Sequence, residues 1–435
     1  MKYILCVTTG LVFGLIFSSF GQVSTTSGNW TMPTTWDCFC VPFPGANVTV
    51  AHNVVLNTDW ATSGGSITIN NGASLVHDVT GRDILLSGGL IVNNGTFELR
   101  YLSITDGTME NNGSMQVASF SNLDTLENTG SISQVDSLYT NGELTNSGSI
   151  EVGTFYNALN MTNSGVIYNV DSLYNAGTLE NLAGGSISAD SATNAGTLTN
   201  EGSITHYAMT NTGNYTNSNV LAFHDFTNTG TFVNSDTVTG TGSMTNAGSF
   251  TNDQNAFVGL DMSFLNSHPT LQNASFENNG HLDVGDSWYN FDLFTGSGTG
   301  WVDVQDSSVN LGAMTGTFDF CDHTPNTIQP PQSPTTGLDY NAGTVDNGIT
   351  WCMITGLLET GANSFYIYPN PTTDVLTISD LLPTDRVVVR DISGRQINVL
   401  QTGKVIHFGN VSEGSYVLTV ERNGTVYTQR VVVQK

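Results

Sequence analysis

A unit of 17 to 19 residues recurs through the middle of this chain, reading G-[TSE]-φ-[TE]-N-x-G-x-φ-x(4–5)-φ-x-N with φ apolar. One apolar file runs Ile91, Met109, Leu126, Leu144, Met161, Leu179, Leu198, Tyr215, Phe232, Phe250. A second keeps the same step through Leu102, Phe120, Leu138, Phe155, Leu173, Ala192, Met209, Phe226, Met244 and Met262. A fixed period of this length is the signature of a solenoid. Within a unit the apolar positions lie five or six residues apart, as in Met109, Met115, Phe120, Leu126 and in Leu126, Ile132, Leu138, Leu144. Three inward centres per turn predict three short strands per coil, a triangular section, and parallel pairing about 4.8 Å apart. The fold class is therefore all-β, a three-sided parallel β-helix. The crossover rule favours right-handed winding, although a near-six-residue step also fits left-handed triangular helices.

The unit must repeat because one coil cannot stand alone. Three buried apolar side chains contribute about 1.5–3 kcal/mol each, while ordering 17 residues costs about 1–2 kcal/mol each. A coil becomes stable only when neighbours share its hydrogen bonds and cover its core, and the ends of the stack need caps. Two columns of Asn mark the corners. One holds Asn111, Asn128, Asn146, Asn163, Asn181, Asn200, Asn217, Asn234 and Asn252, the other Asn122, Asn157, Asn175, Asn194, Asn211, Asn228 and Asn246. Gly often follows two residues later, as at Gly113, Gly130, Gly148, Gly165 and Gly202. Both residue types accept left-handed backbone, and stacked amides can bond from coil to coil. The Asn columns, including Asn128, Asn146 and Asn163, are thus expected to be structural, and the many N-x-[ST] triplets to be their by-product.

Only 11% of the 435 residues are charged. Such a composition could mean low-complexity disorder, but the regular apolar files argue against that for about residues 65–320. From Val23 to Ser364 the basic residues are Arg82 and Arg100 against 31 acids, a balance of −29, whereas the last 71 residues hold seven basic and six acidic residues. That break marks a boundary near residue 360. An acidic body disfavours nucleic acid and anionic membrane surfaces. It suits solubility in a salty exterior, or divalent-cation binding.

The expected organisation is a signal peptide at 1–21, an N-terminal cap at 22–64, the solenoid at 65–320, a closing segment and linker at 321–364, and a small domain at 365–435. Lys2, the apolar run to Phe20, and Ser19 and Gly21 before Gln22 make the leader. No later stretch is long and apolar enough to span a bilayer. Four cysteines remain after cleavage, Cys38, Cys40, Cys321 and Cys352, and an exported chain favours disulfides. Cys321–Cys352 is the favoured pair, stapling the segment that closes the solenoid. Cys38 and Cys40 would then form a short bridge or stay reduced. A zinc site with His52 lacks a second cysteine pair.

The opening, Ser27-Gly-Asn-Trp30, Trp36, Val41-Pro-Phe-Pro-Gly45 and Val48 to His52, resembles the first cap of secreted bacterial β-helix proteins. Trp30 and Trp36 would cover the first coil. At the other end, short alternating strands in about 70 residues read as a small antiparallel β-sandwich. Tyr368-Pro369-Asn370-Pro371, the turn Asp391 to Gly394-Arg395, and Gly414-Ser-Tyr416 before an alternating strand resemble the type A C-terminal sorting domain of the type IX secretion system of Bacteroidetes. That resemblance implies export across the outer membrane by this machinery and a cut in the linker 355–364. It further implies attachment to surface lipopolysaccharide or release, so the expected place is the cell surface or the medium.

Chemistry is harder to read. A lyase on this scaffold wants basic residues, and the body offers only Arg82 and Arg100. A glycosidase needs two carboxylates at a set separation. Asp171 and Asp190 share a phase on adjacent coils and are the candidate catalytic pair. With Asp136 they are also the candidate Ca²⁺ ligands, and otherwise they are solvated corner residues. His206 and His224 fall near one phase without forming a column. Gly296 to Gly300 reads as a turn, since no βαβ unit surrounds it. Thr and Asn crowd the outward faces, but no strict T-x-T column appears. The reading reached is an exported, non-catalytic β-solenoid serving adhesion, glycan contact or a matrix role, with no cofactor unless Ca²⁺ binds. A carbohydrate-active enzyme on the same scaffold is the alternative.

Overall fold

The computed structural model describes residues 21–267, 273–324, 337–352, 367–379, 381–391, 394–422 and 425–435. The expected leader lies outside these except for Gly21, as does the linker 355–364. The chain divides into two compact units, residues 1–354 and 355–435.

In the first unit each strand pairs in parallel with strands one coil away, from Gln22↔Val48 to Phe320↔Trp351, over about 15 turns. A mid-solenoid coil has a long strand, such as Ser131–Thr140, and a short one, such as Glu143–Asn146. A bend splits the long strand into a first and a second side, and the short strand forms the third. On the third side Leu126, Leu144, Met161, Leu179 and Leu198 pair in succession and all are buried. Further along, Phe232, Phe250, Phe276 and Phe294 continue that file with rings stacked 4.6, 4.6 and 5.3 Å apart.

Two expectations about the core need correction. The second file passes from Met244 to Phe264 and on to Trp288, while Met262 is 47% exposed. The coil between Met244 and Phe264 is longer by two residues, taken up in a turn at Asp253–Ala256 with Asn255 at φ 68, so a constant step falls two residues short. There is also a fourth inward file at the bend between the first and second sides. It holds Val117, Val135, Val152, Val170, Ala189, His206 and Phe223, all buried. Gly240 continues it, and a side chain there would strike the Phe223 ring at 2.4 Å. The bend absorbs part of the variation in coil length. Where the long strand has ten residues, Gln134 or Asn169 adopts φ 58 or 57.

The corner glycines act by a different route from the one expected. Gly113, Gly130, Gly148, Gly165 and Gly202 do not have positive φ. Instead, a Cβ on Gly148 would sit 2.0 Å from the Gly130 carbonyl oxygen, and one on Gly165 would sit 2.1 Å from that of Gly148. Successive corners lie too close for any side chain. The Asn side chains turn inward and donate Nδ2 to the Oδ1 of the next coil. In one column these bonds run from Asn111 to Asn128, Asn146, Asn163 and Asn181 at 2.7–2.8 Å. In the other they run from Asn157 to Asn175, Asn194 and Asn211 at 2.7–2.8 Å.

Trp30 and Trp36 are buried at the N-terminal end, packed edge to face 5.1 Å apart, and the Trp36 indole donates to the Trp30 carbonyl at 2.9 Å. Cys38–Cys40 and Cys321–Cys352 are bonded pairs.

The second unit has two antiparallel four-stranded sheets. One contains Ile367–Tyr368, Val375–Ile378, Val405–His407 and Leu400–Thr402. The other contains Gln396–Ile397, Arg386–Asp391, Gly414–Arg422 and Thr425–Val433. Leu376, Ile378, Val389, Ile406, Leu418 and Val431 belong to the buried cluster of this unit. The Arg422 guanidinium beside Asp385, at 2.7 Å, holds that carboxyl below its usual range.

Candidate functional site

Alternation along a strand sends every second residue of each side outward. Register then collects these residues into columns. On the second side one column runs Ser121, Tyr139, Tyr156, Tyr174, Thr193, Thr210, Thr227, Thr245. The column two residues earlier runs Ser119, Ser137, Thr154, Ser172, Ser191, Ala208, Asp225. Between Ser119 and Thr245 these two columns carry a single charge, Asp225, whose Oδ1 accepts the Ser243 amide at 3.1 Å. The third side, by contrast, turns out Glu110, Glu127, Glu143 and Glu180. In a chain of net charge −27, the second side from Ser119 to Thr245 is a nearly neutral strip, mostly of hydroxyls, at the coil spacing of about 4.8 Å.

The three tyrosines form a ladder. Tyr139 and Tyr156 stack with centroids 5.1 Å apart and 20° between planes, and Tyr156 and Tyr174 stack at 5.1 Å and 16°. Each inner face is covered by the next ring, so the ladder presents ring edges and phenol hydroxyls. It extends the hydroxyl row and is not an open stacking platform. Sequence reading missed this strip because Ser, Thr and Tyr at those positions look like ordinary solvated residues. The steps between them vary between 17 and 19, and only pairing through the bend brings them into line.

Asp136, Asp171 and Asp190 are exposed at the bend between the first and second sides. Register flanks Asp171 and Asp190 with Val170↔Ala189 and Ser172↔Ser191, so they sit on adjacent coils. Gly153 separates Asp136 from Asp171, and a Cβ there would lie 3.5 Å from Asp171 Oδ2. Among the described residues no group of three His, Cys, Asp or Glu side chains gathers as a metal site.

A second carboxylate pair lies on the first side near the C-terminal end of the solenoid. Asp283 pairs with Asp303, and two residues earlier His281 pairs with Trp301. Burial, then the neighbouring Asp303 charge, pushes Asp283 up to about 6. Asp303 binds the His323 Nε2, and that contact raises the imidazole above its ordinary value. Phe257 and Trp301 flank His281 edge to face at 5.4 and 6.3 Å, forming an aromatic border beside the two acids.

In the second unit the motif residues have clear structural work. Asn370 clamps the last strand, with Nδ2 donating to the Arg430 carbonyl at 2.9 Å and Oδ1 accepting the Val432 amide at 2.8 Å. Asp391 closes the turn by accepting the Arg395 amide and guanidinium, each at 3.0 Å, while Gly394 supplies φ 83. The Tyr416 hydroxyl donates to the Ser412 carbonyl at 2.7 Å.

Residues 366–434 match the family described as the secretion system C-terminal sorting domain. No curated protein and no solved structure matches the chain. The chain is thus a β-solenoid carrying a type IX sorting domain, secreted to the cell surface or beyond. Among the described residues no helix is long and apolar enough to cross a membrane.

Proposed function

We propose that the solenoid is a non-catalytic binding module that lays its second side along a neutral, hydroxyl-rich polysaccharide, serving adhesion or a matrix role. The observation that carries this reading is the hydroxyl strip, with Asp225 as its one charge, on an otherwise acidic body. A neutral polymer meets no like-charge repulsion there, whereas an anionic one meets the field of the whole chain. Each coil contributes a net gain of about 0.5–1.5 kcal/mol per hydrogen bond, and repetition along the strip converts weak contacts into avidity. After export, removal of the sorting domain within the linker would leave the solenoid free, or held on surface lipopolysaccharide. The test is adsorption of the exported protein to insoluble cellulose, chitin, mannan and xylan. Tyr174→Glu with Thr210→Glu places two charges on the strip at outward positions and should lower adsorption by about tenfold or more, since each exposed carboxylate must be desolvated against a neutral surface. Adsorption equal to wild type would refute the reading.

Asp283 and Asp303 favour a second reading, a retaining glycosidase. Asp283 in its acid form would protonate the glycosidic oxygen while Asp303 attacks the anomeric carbon. Water would then hydrolyse the glycosyl ester and return the proton to Asp283. Reducing-end release from a polysaccharide panel, abolished in Asp303→Asn, would establish it; no release by the wild type removes it.

A further inference from the structure

The hydroxyl strip has a head of different chemistry. On the first coils of the second side, Asp59, Ala61, Asp83, Leu85, Tyr101 and Ser103 line a trough of about 390 Å³. Register places Ala61, Leu85 and Ser103 in one column, and Asp83 and Tyr101 in the other. These are the columns that continue into Ser121 and Tyr139 and into Ser119 and Ser137. The trough and the strip therefore form one continuous surface.

Three features set the trough apart. Its carboxylates are fixed: Asp83 is gripped through both oxygens by Arg100 at 2.8 and 2.5 Å, and Asp59 Oδ1 accepts the Asp83 amide at 3.2 Å. Tyr101, 36% exposed, has Asp83 and Ser119 as its column neighbours, so no ring stacks on it from the next coil as happens in the ladder. The floor is rigid, with Ile84 and Trp60 buried and Trp60 packed edge to face on Trp30 at 5.5 Å.

We propose that this trough is a saccharide subsite that holds one ring of the neutral glycan, with its C–H face on Tyr101 and a pair of its hydroxyls donating to Asp59 and Asp83. Hydroxyl donation to a carboxylate is stronger than donation to a neutral acceptor. An exposed aromatic face supplies apolar contact with orientation. The volume is at the low end of small-ligand sites, room for a ring and not for a bundle of chains. With Asp83 paired to Arg100, Asp59 and the field of the acidic body disfavour uronic acids and phosphorylated sugars.

The inference rests on the polysaccharide reading of the same face, so the experiment separates the two. The exported protein is titrated calorimetrically with soluble neutral hexaoses of glucose, mannose and xylose, and its adsorption to the insoluble polymers is measured in parallel. Tyr101→Ala is expected to weaken binding of the recognised hexaose by about tenfold, roughly 1.4 kcal/mol, while polymer adsorption drops far less. Asp59→Ala is expected to weaken hexaose binding in the same way. The strip variant Tyr174→Glu with Thr210→Glu is expected to do the reverse. Tyr101-dependent hexaose binding without polymer adsorption upholds the trough and removes the strip reading. Failure of every hexaose to bind the wild type, or equal binding by Tyr101→Ala, overturns the trough whatever the polymers do.

Discussion

Replacing Thr140 with Asn will stabilise the solenoid. Thr140 is fully buried in the second Asn column, between Asn122 and Asn157. It accepts the Asn122 Nδ2 at 3.1 Å, but its own hydroxyl points to the Gly142 carbonyl at 3.4 Å, so nothing reaches Asn157 Oδ1. Every later Asn in the column, from Asn175 to Asn246, accepts an amide from the coil before it at 2.7–2.8 Å. An Asn at 140 can take the geometry of its neighbours, receive Asn122 on Oδ1 and donate Nδ2 to Asn157. That adds one buried hydrogen bond and satisfies one buried acceptor, a gain of about 1–2 kcal/mol. Thr140→Val keeps the shape but removes the acceptor for Asn122, and is expected to cost about 1 kcal/mol. Urea midpoints at unchanged m-value, with amide exchange at Ala158 and Ala176, read both effects. A Thr140→Asn protein no more stable than wild type, with its Ala158 amide equally labile, would refute the argument that amide continuity holds the coils together.

Gly148→Ala forces a methyl against a carbonyl that would lie 2.0 Å away, so it is expected to destabilise by about 1–3 kcal/mol, and a thermal melt checks it. His206 is buried, neither ring nitrogen has a side-chain hydrogen-bond partner, and burial lowers it to about 4. The unfolded chain takes up that proton at about 6.5 and the folded chain only near 4, so the contribution of this site is intact above pH 6.5 and falls away as pH drops toward 4. The loss approaches about 3 kcal/mol. His206→Leu should flatten the pH dependence of the urea midpoint in that window, and an unchanged slope would contradict the assignment. Asn370→Ala removes both bonds to the last strand, costs about 1–2 kcal/mol in the second unit, and is expected to lower the amount of protein recovered outside the cell.

Much of the fold was legible because a buried file must repeat its polarity at every coil. Leu144, Met161 and Leu179 announce themselves by spacing, as do the Asn columns. The fourth inward file was not legible, since its members pass from Val170 to Ala189, His206 and Gly240, and no single residue class marks it. The corner glycines were legible as corners, but their reason was not. The sequence suggested left-handed backbone, whereas the cause is a carbonyl one coil below, which no local pattern encodes. Of the candidate sites, Asp171 and Asp190 do fall on adjacent coils as their phase implies. The hydroxyl strip, the trough under Tyr101 and the Asp283–Asp303 pair were invisible.

The amino-acid order alone therefore determined a coiled parallel stack with amide-lined corners and an address for export, because period and motif are properties of the chain itself. Which outward residues share a face was decided by the folded structure. Where the long strand carries an extra residue, Gln134 and Asn169 take it up at the bend and keep the second sides in register. That adjustment, made by backbone conformation, aligns Tyr139, Tyr156 and Tyr174 with the threonines beyond them into one neutral surface.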